Sequence, residues 1–203
     1  MKIAIIGGTG NIGSRVAKEA ASRGHSVSTI SRNPEKAPSD PNITPWKGDI
    51  TDPRSVEPLI EGHDAVISAV RFSTSPAANI IAAVKEAAVP RLLVVGGAAS
   101  LEVAPGKTLF DTPEFPDAYK PEAGAGLAFL KALRGETELD WTFLSPSAGI
   151  AAGERTGTFR LGGDQLLTGA DGKSFISIED FAIALIDELE NPKHTRRRFT
   201  VGY

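Results

Sequence analysis

The first thirteen residues narrow what this chain can fold into more than any other stretch. Met1-Lys2-Ile3-Ala4-Ile5-Ile6 is a short apolar run, Gly7-Gly8-Thr9-Gly10-Asn11-Ile12-Gly13 follows directly, and an amphipathic segment begins at Ser14. The pattern is that of a buried strand, a glycine loop and a helix. Glycines at 7, 10 and 13 spell G-x-x-G-x-x-G. Such a loop lets backbone come close to a pyrophosphate, and the free N–H groups of the helix start then face the anion. A glycine motif alone says little; its strand–helix setting makes it informative. Gly7, Thr9, Gly10, Asn11, Ile12 and Gly13 are therefore the expected dinucleotide cradle.

The next turn refines the expectation. Arg23-Gly24-His25 suits a helix stop, and Ser26-Val27-Ser28-Thr29-Ile30 reads as a second strand ending at Ser31-Arg32-Asn33-Pro34. A carboxylate here would hold a ribose 2′-hydroxyl, but no acid occurs until Glu35. A guanidinium binds phosphate by charge-assisted, bidentate bonds. Arg32 thus points to NADP(H) over NAD(H); the alternative is a solvated loop arginine.

The rest of the chain alternates apolar strands with helical patterns. Strands are expected at Ile43–Trp46, Asp64–Val70, Arg91–Gly97, Asp140–Ser145 and Arg198–Val201. Helices are expected at Pro53–Glu61 (with Asp52 as cap), Pro76–Ala88, Ala118–Arg134 and Phe181–Glu190, the last opened by a capping box at Ser177-Ile178-Glu179-Asp180. Gly124 and Gly126 allow close packing, approach to a ligand, or a frayed start near Leu127. Ala98 to about Asp117 reads as a loop. Between 149 and 177, Gly157–Leu161 and Lys173–Ile176 read as short strands joined by an Asp171-Gly172 hairpin turn. The fold class is α/β, a Rossmann-like doubly wound parallel sheet. One domain spans 1–203, with 149–177 as a small C-terminal elaboration on the substrate side.

Composition excludes several functions. The chain has 203 residues, 41% hydrophobic, a net charge of −3 and no cysteine. Disulfides and thiolate chemistry are ruled out, and no charge excess favours nucleic acid or an anionic membrane. No apolar run nears the roughly 20 residues of a membrane helix, and the N-terminus reads as a strand rather than a signal peptide, so a cytoplasmic protein, monomer or homodimer, is expected. Arg196-Arg197-Arg198 reads as a solvated turn. No cluster of His, Asp and Glu has metal-ligand spacing.

Ligands of such sheets lie beyond the carboxyl ends of the strands. There Asp49 would accept from an adenine amino group, or else cap a turn, and Ile50 would pack on the ring. Ser68, Ala69 and Val70 would lie beneath pyrophosphate or ribose, and Pro146 and Ser147 would flank the nicotinamide. His25, His63 and His194 fall elsewhere, so no histidine is placed for acid–base work.

Five motifs occur in order: Gly7–Gly13, Ser31-Arg32-Asn33-Pro34, Gly48-Asp49-Ile50-Thr51-Asp52, Leu139–Pro146 and Ser177–Ala182. Together they resemble the atypical short-chain dehydrogenase/reductases, in particular the NAD(P)H-binding, NmrA-like branch with the flavin and biliverdin-IXβ reductases. The resemblance implies an oxidoreductase that passes hydride from NADPH to a flavin-like, quinone or other planar conjugated small molecule. Two departures stand out. The superfamily's Tyr-x-x-x-Lys acid pair is represented by Tyr119-Lys120-Pro121-Glu122-Ala123, without the lysine at the fourth place; Lys120 would point about 100° away on a helix. The histidine of the biliverdin-reductase-like members is missing from Ser147-Ala148-Gly149, whereas Ser100 stands where their serine is found. Ser100 and Tyr119 are thus the candidate catalytic residues, with Phe72, Phe110 and Phe115 beside Tyr119 as candidate acceptor-lining residues. Two other readings fit the damaged motifs less or equally well: an NmrA-type sensor that binds dinucleotide without turnover, and a sugar-nucleotide epimerase or dehydratase.

Overall fold

In the computed structural model, which describes residues 1–203, the opening apolar run is β1 (Lys2–Ile6), buried after Lys2. Helix α1 (Asn11–Ser22) follows the glycine loop. The alternation continues through β2 (Ser26–Ser31), β3 (Ile43–Lys47), the short helix α2 (Glu57–Ile60), β4 (Ala65–Ser68), α3 (Ala77–Glu86) and β5 (Arg91–Val95). A hairpin of β6 (Glu102–Ala104) and β7 (Lys107–Thr108) precedes α4 (Lys120–Arg134) and β8 (Asp140–Ser145). The chain ends with β9 (Gly149–Ala151), β10 (Arg160–Gly162), β11 (Phe175–Ser177), α5 (Ile178–Glu190) and β12 (Arg197–Gly202).

Eight strands form one sheet in the order β10-β12-β8-β5-β4-β1-β2-β3. All neighbours are parallel except β10, which runs antiparallel to β12. The chain moves outward from β1 to β3, then returns to β4 on the other side of β1. That reversal opens a crevice at the carboxyl ends of β1 and β4. Successive residues of β1, β4 and β5 enter opposite cores, which explains the apolar runs Ile3–Ile6, Ala65–Ile67 and Leu92–Val95. Ile3, Ile5, Leu93 and Val95 pack with Val16 of α1 and Phe181 of α5. Ala4, Ile6, Leu92 and Val94 pack with Ile60 of α2, Val84 of α3 and Phe129 of α4. The chain is a Rossmann-like α/β protein.

Several local expectations are corrected. The 53–61 helix is split into a 3-10 turn (Pro53–Ser55) and α2, and Asp52 caps with no side-chain bond; Ser55 Oγ instead donates to Asp52 O at 2.8 Å. The 98–117 stretch contains the β6–β7 hairpin, which turns at Gly106 with φ +72°. Asp171-Gly172 does form a turn, closed by Gly169 N to Lys173 O at 2.7 Å. It does not join a hairpin, because β10 pairs with β12 and β11 runs parallel to β9. Turn chemistry is local, whereas the choice of strand partner depends on which sheet edge lies open. Ser177 caps α5 by accepting from Asp180 N at 3.0 Å, but the Asp180 carboxylate turns away to other donors. Arg198 is not solvated: its side chain is 3% exposed and pairs with Asp164. Alternation along β12 aims Arg198 inward, while Arg196 and Arg197 stay exposed.

The two glycines of α4 differ. A Cβ on Gly126 would lie 3.0 Å from the Phe72 ring, whereas one on Gly124 would meet nothing within 4 Å. Gly124→Ala should therefore stabilise the protein by about 0.5–1 kcal/mol through helix propensity. Gly126→Ala should give no such gain, since it must push Phe72 aside. Urea unfolding of both variants checks this; equal gains would contradict the packing at Gly126.

Candidate functional site

The crevice at the carboxyl ends of β1, β2 and β4 encloses about 210 Å³. Its floor is the glycine loop. Gly7 has φ +86°, and a Cβ there would fall 2.5 Å from Ala69 O. A Cβ on Gly13 would fall 2.2 Å from Gly7 O. Those two glycines are thus required by backbone-to-backbone contact. Gly10 differs: a Cβ would meet only Gly7 O, at 3.2 Å, and the residue faces the crevice as the N-cap of α1.

The start of α1 is left open. It has no side-chain cap and no acidic residue in its first turn. The first helical bond runs from Ser14 N to Gly10 O at 2.9 Å, and the N–H groups of Thr9, Asn11, Ile12 and Gly13 find no protein acceptor. Unpaired N–H groups at the positive end of a helix are suited to a phosphate. The Asn11 side chain is oriented by Arg15, whose Nη1 donates to its Oδ1 at 2.7 Å.

Two cations stand on the rim. Arg32 and Arg71 are exposed, line the crevice and form no ion pair. Asp49 lies beside them. Its Oδ1 accepts from Thr51 N at 3.0 Å and Thr51 Oγ1 at 2.9 Å, the turn-capping role. These bonds hold its carboxyl below the usual carboxylate range, with a smaller contribution from the Arg32 charge. Ile50 is buried and supplies an apolar wall. Ser31 also lines the crevice, with a buried Oγ that has no partner.

Other expected site residues lie elsewhere. Ala69 and Val70 line the crevice, but Ser68 is buried beneath them with no partner for its hydroxyl. Ser147 faces β12, donating to Val201 O at 3.0 Å, and neither it nor Pro146 borders the crevice. The Ser100 hydroxyl accepts from Arg198 Nη1 at 3.1 Å, which fastens the segment after β5 to β12. Tyr119 is 66% exposed, and Lys120 pairs with Asp117 at 2.6 Å. No acid–base pair is assembled from these residues. Phe72 is a packing residue, with ring centroids 5.2 Å from Phe129 and 6.0 Å from Phe143; Phe110 and Phe115 pair with each other at 5.3 Å. His25 bonds Glu190, His63 bonds Ser28, and His194 bonds Glu188. No group of three or more His, Asp or Glu side chains could hold a metal ion.

At the end of the fourth strand the sequence assigned cofactor contacts to Ser68, Ala69 and Val70 alone. Arg71, Thr74 and Ser75 complete that wall. The strand order, in which β4 lies on the other side of β1 from β2, brings this segment beside the glycine loop, and nothing in the local sequence displays that order.

A family model described as NAD(P)H-binding matches residues 7–192. The chain belongs to the NAD(P)H-binding family. A Bacillus subtilis relative, YwnB, is 42% identical over 99% of this chain and 98% of its own. A proposed epimerase from Bacteroides thetaiotaomicron superposes with a TM-score of 0.94 at 42% identity, covering 100% of this chain and 96% of that one. A proposed NADH-flavin reductase from Streptococcus pneumoniae superposes at 0.86 with 34% identity, covering 100% and 99%. The fold is thus shared with relatives whose names imply different reactions.

On the far side of α1, the 149–177 segment is fixed by a buried acid. Asp180 is fully buried and accepts from Thr156 Oγ1 at 2.5 Å, Gly157 N at 2.9 Å and Tyr203 OH at 2.7 Å. Burial alone would raise its pKa, but these donors outweigh it, and the carboxyl titrates below its ordinary value. A depressed folded pKa stabilises above the unfolded value of about 3.9, and the contribution is lost as pH falls through the folded one. Asp180→Asn should therefore lower the thermal midpoint at pH 7, and the gap to wild type should shrink below about pH 4. A gap that stays constant down to pH 2 would contradict this.

Proposed function

We propose that this protein is an NADPH-dependent oxidoreductase that passes hydride to a planar conjugated small molecule such as a flavin or a quinone. The observation that carries the reading is the open cradle: the N–H groups at Thr9 and at the start of α1 have no protein acceptor, beside a crevice lined by Gly7, Thr9 and Gly10 and rimmed by unpaired Arg32 and Arg71. The residues fit a phosphorylated dinucleotide. The N–H groups at Thr9, Asn11, Ile12 and Gly13 would hold the pyrophosphate, Ile50 would pack on the adenine, and Arg32 would meet the 2′-phosphate. When bound, the dinucleotide supplies the hydride. The chain's part is to bind, orient and keep the reacting carbon against an acceptor.

The absence of an assembled acid–base pair supports this chemistry over epimerisation. Flavins and quinones accept hydride with a proton from water, whereas epimerases and dehydratases need a positioned acid or base. Tyr119 stands exposed, its fourth follower is Ala123, and Lys120 is engaged by Asp117. The name of the Streptococcus relative agrees with the reductase reading, and that of the Bacteroides relative with the other. A second reading, a sensor that binds the dinucleotide without turnover, rests on the same open cradle and the same missing pair. No helix is long and apolar enough to cross a membrane, which is compatible with the cytoplasmic monomer or homodimer we take the protein to be.

Purified protein mixed with NADPH and FMN, a quinone or a tetrapyrrole should consume NADPH, read as loss of absorbance at 340 nm. Tight binding with no turnover on any acceptor would favour the sensor. Arg32→Ala should weaken NADPH binding by on the order of tenfold to a hundredfold, the worth of a charge-assisted contact, and leave NADH nearly unchanged. Equal losses by titration calorimetry would remove Arg32 from 2′-phosphate recognition.

A further inference from the structure

The wall of the crevice formed by residues 70–75 is not held by β4 alone. It is clamped to α4 at two points. The first is Glu122, in the first turn of α4. One carboxylate oxygen accepts from Phe72 N at 2.7 Å; the other accepts from Ser73 N at 3.1 Å and Ser73 Oγ at 2.5 Å. Phe72–Thr74 is a single 3-10 turn without a cap of its own. Glu122 thus serves the turn's exposed N–H groups from 49 and 50 residues away. The second point is the Phe72 ring, seated against Phe129, Phe143 and the bare backbone of Gly126.

The residue just before the clamped turn is Arg71, one of the two rim cations without an ion pair. A long side chain can discriminate between ligands only if its Cα is fixed, since otherwise the contact loses its gain to ordering. Glu122 fixes the two peptide N–H groups that follow Arg71. A glutamine could not replace it well: its one carbonyl oxygen can serve one side, and its NH2 would face a second donor.

We propose that Glu122 is a positioning residue for the arginine-bearing rim of the crevice: through the 72–74 turn it aims Arg71 so that it joins Arg32, which lines the same crevice, in meeting the 2′-phosphate, and so sets how strongly the protein prefers NADP(H) to NAD(H). The proposal rests on the reading of the crevice as a dinucleotide site. It also gives α4 a role different from that of the superfamily's acid pair. In the place of a catalytic tyrosine and lysine, this helix start carries a carboxylate directed at the cofactor wall.

The test is direct binding of NADP+ and NAD+ by calorimetry to wild type, Glu122→Gln, Glu122→Asp, Arg71→Ala and the Glu122→Gln/Arg71→Ala double variant. Glu122→Gln should weaken NADP+ about tenfold, the scale of a lost charge-assisted contact, with NAD+ nearly unaffected. Glu122→Asp, which keeps both acceptors on a shorter stem, should recover part of the loss. In the Arg71→Ala background, Glu122→Gln should cost little more, because the residue it aims is gone. Unchanged NADP+ affinity, an equal loss for both dinucleotides, or a full loss persisting without Arg71 would each overturn the proposal and leave the dinucleotide reading intact. Failure of the wild type to bind either dinucleotide would overturn the dinucleotide reading itself, and this proposal with it.

Discussion

The structure turns on three backbones that meet where the sheet reverses direction. Gly7, Gly13 and Ala69 come so close that a methyl group at either glycine would fall within 2.5 Å of a carbonyl oxygen. That approach seats the start of α1 directly over the end of β1 and beside the end of β4. It also leaves the first-turn N–H groups of α1 with nothing from the protein to bond. Dense packing below and unpaired donors above are two consequences of one geometry. Because the donors are fixed by the fold, an anion arriving there meets a site already arranged, and little ordering opposes its binding.

The helix that carries these donors is tied down along its length. Arg15 Nε bonds Glu179 Oε1 at 2.6 Å, and the other oxygen of Glu179 accepts from Gly153 N at 2.8 Å. Farther along, Glu19 receives Arg155 from the 149–177 segment and Arg23 from the C-terminal cap of its own helix. Burial opposes the Glu19 charge, yet these two guanidinium groups hold the carboxyl below its ordinary pKa. The segment after β8 is therefore a brace across α1 and α5.

What was legible in the sequence follows from how local each cause is. The glycine loop, the strand–helix alternation and the cap at Ser177 depend on residues within a few positions, and the sequence displays them. The place of Arg32 on the crevice rim was readable because it follows directly on the second strand. Arg198 was not, because its partners Asp164 and Ser100 lie 34 and 98 residues away. Ser147 was set beside the nicotinamide by its place after the sixth strand, but its hydroxyl meets Val201, 54 residues on. Glu122 gave no sign for the same reason: its donors belong to a turn that carries no motif.

This distribution of polar groups bears on the chemistry. The one carboxylate that lines the crevice, Asp49, is engaged by Thr51, and acid–base side chains farther out hold the frame: Glu122 on the 72–74 turn, Lys120 on Asp117, Glu179 on Arg15. Those left free near it are guanidinium groups, which bind anions and do not exchange protons near neutral pH. A site built this way is strong in placement and poor in proton transfer. Hydride delivery to an acceptor that takes its proton from water asks for that balance, because its rate depends on how well two planar groups are brought together. On the reductase reading, the lost acid pair is then no defect, since the reaction never required it.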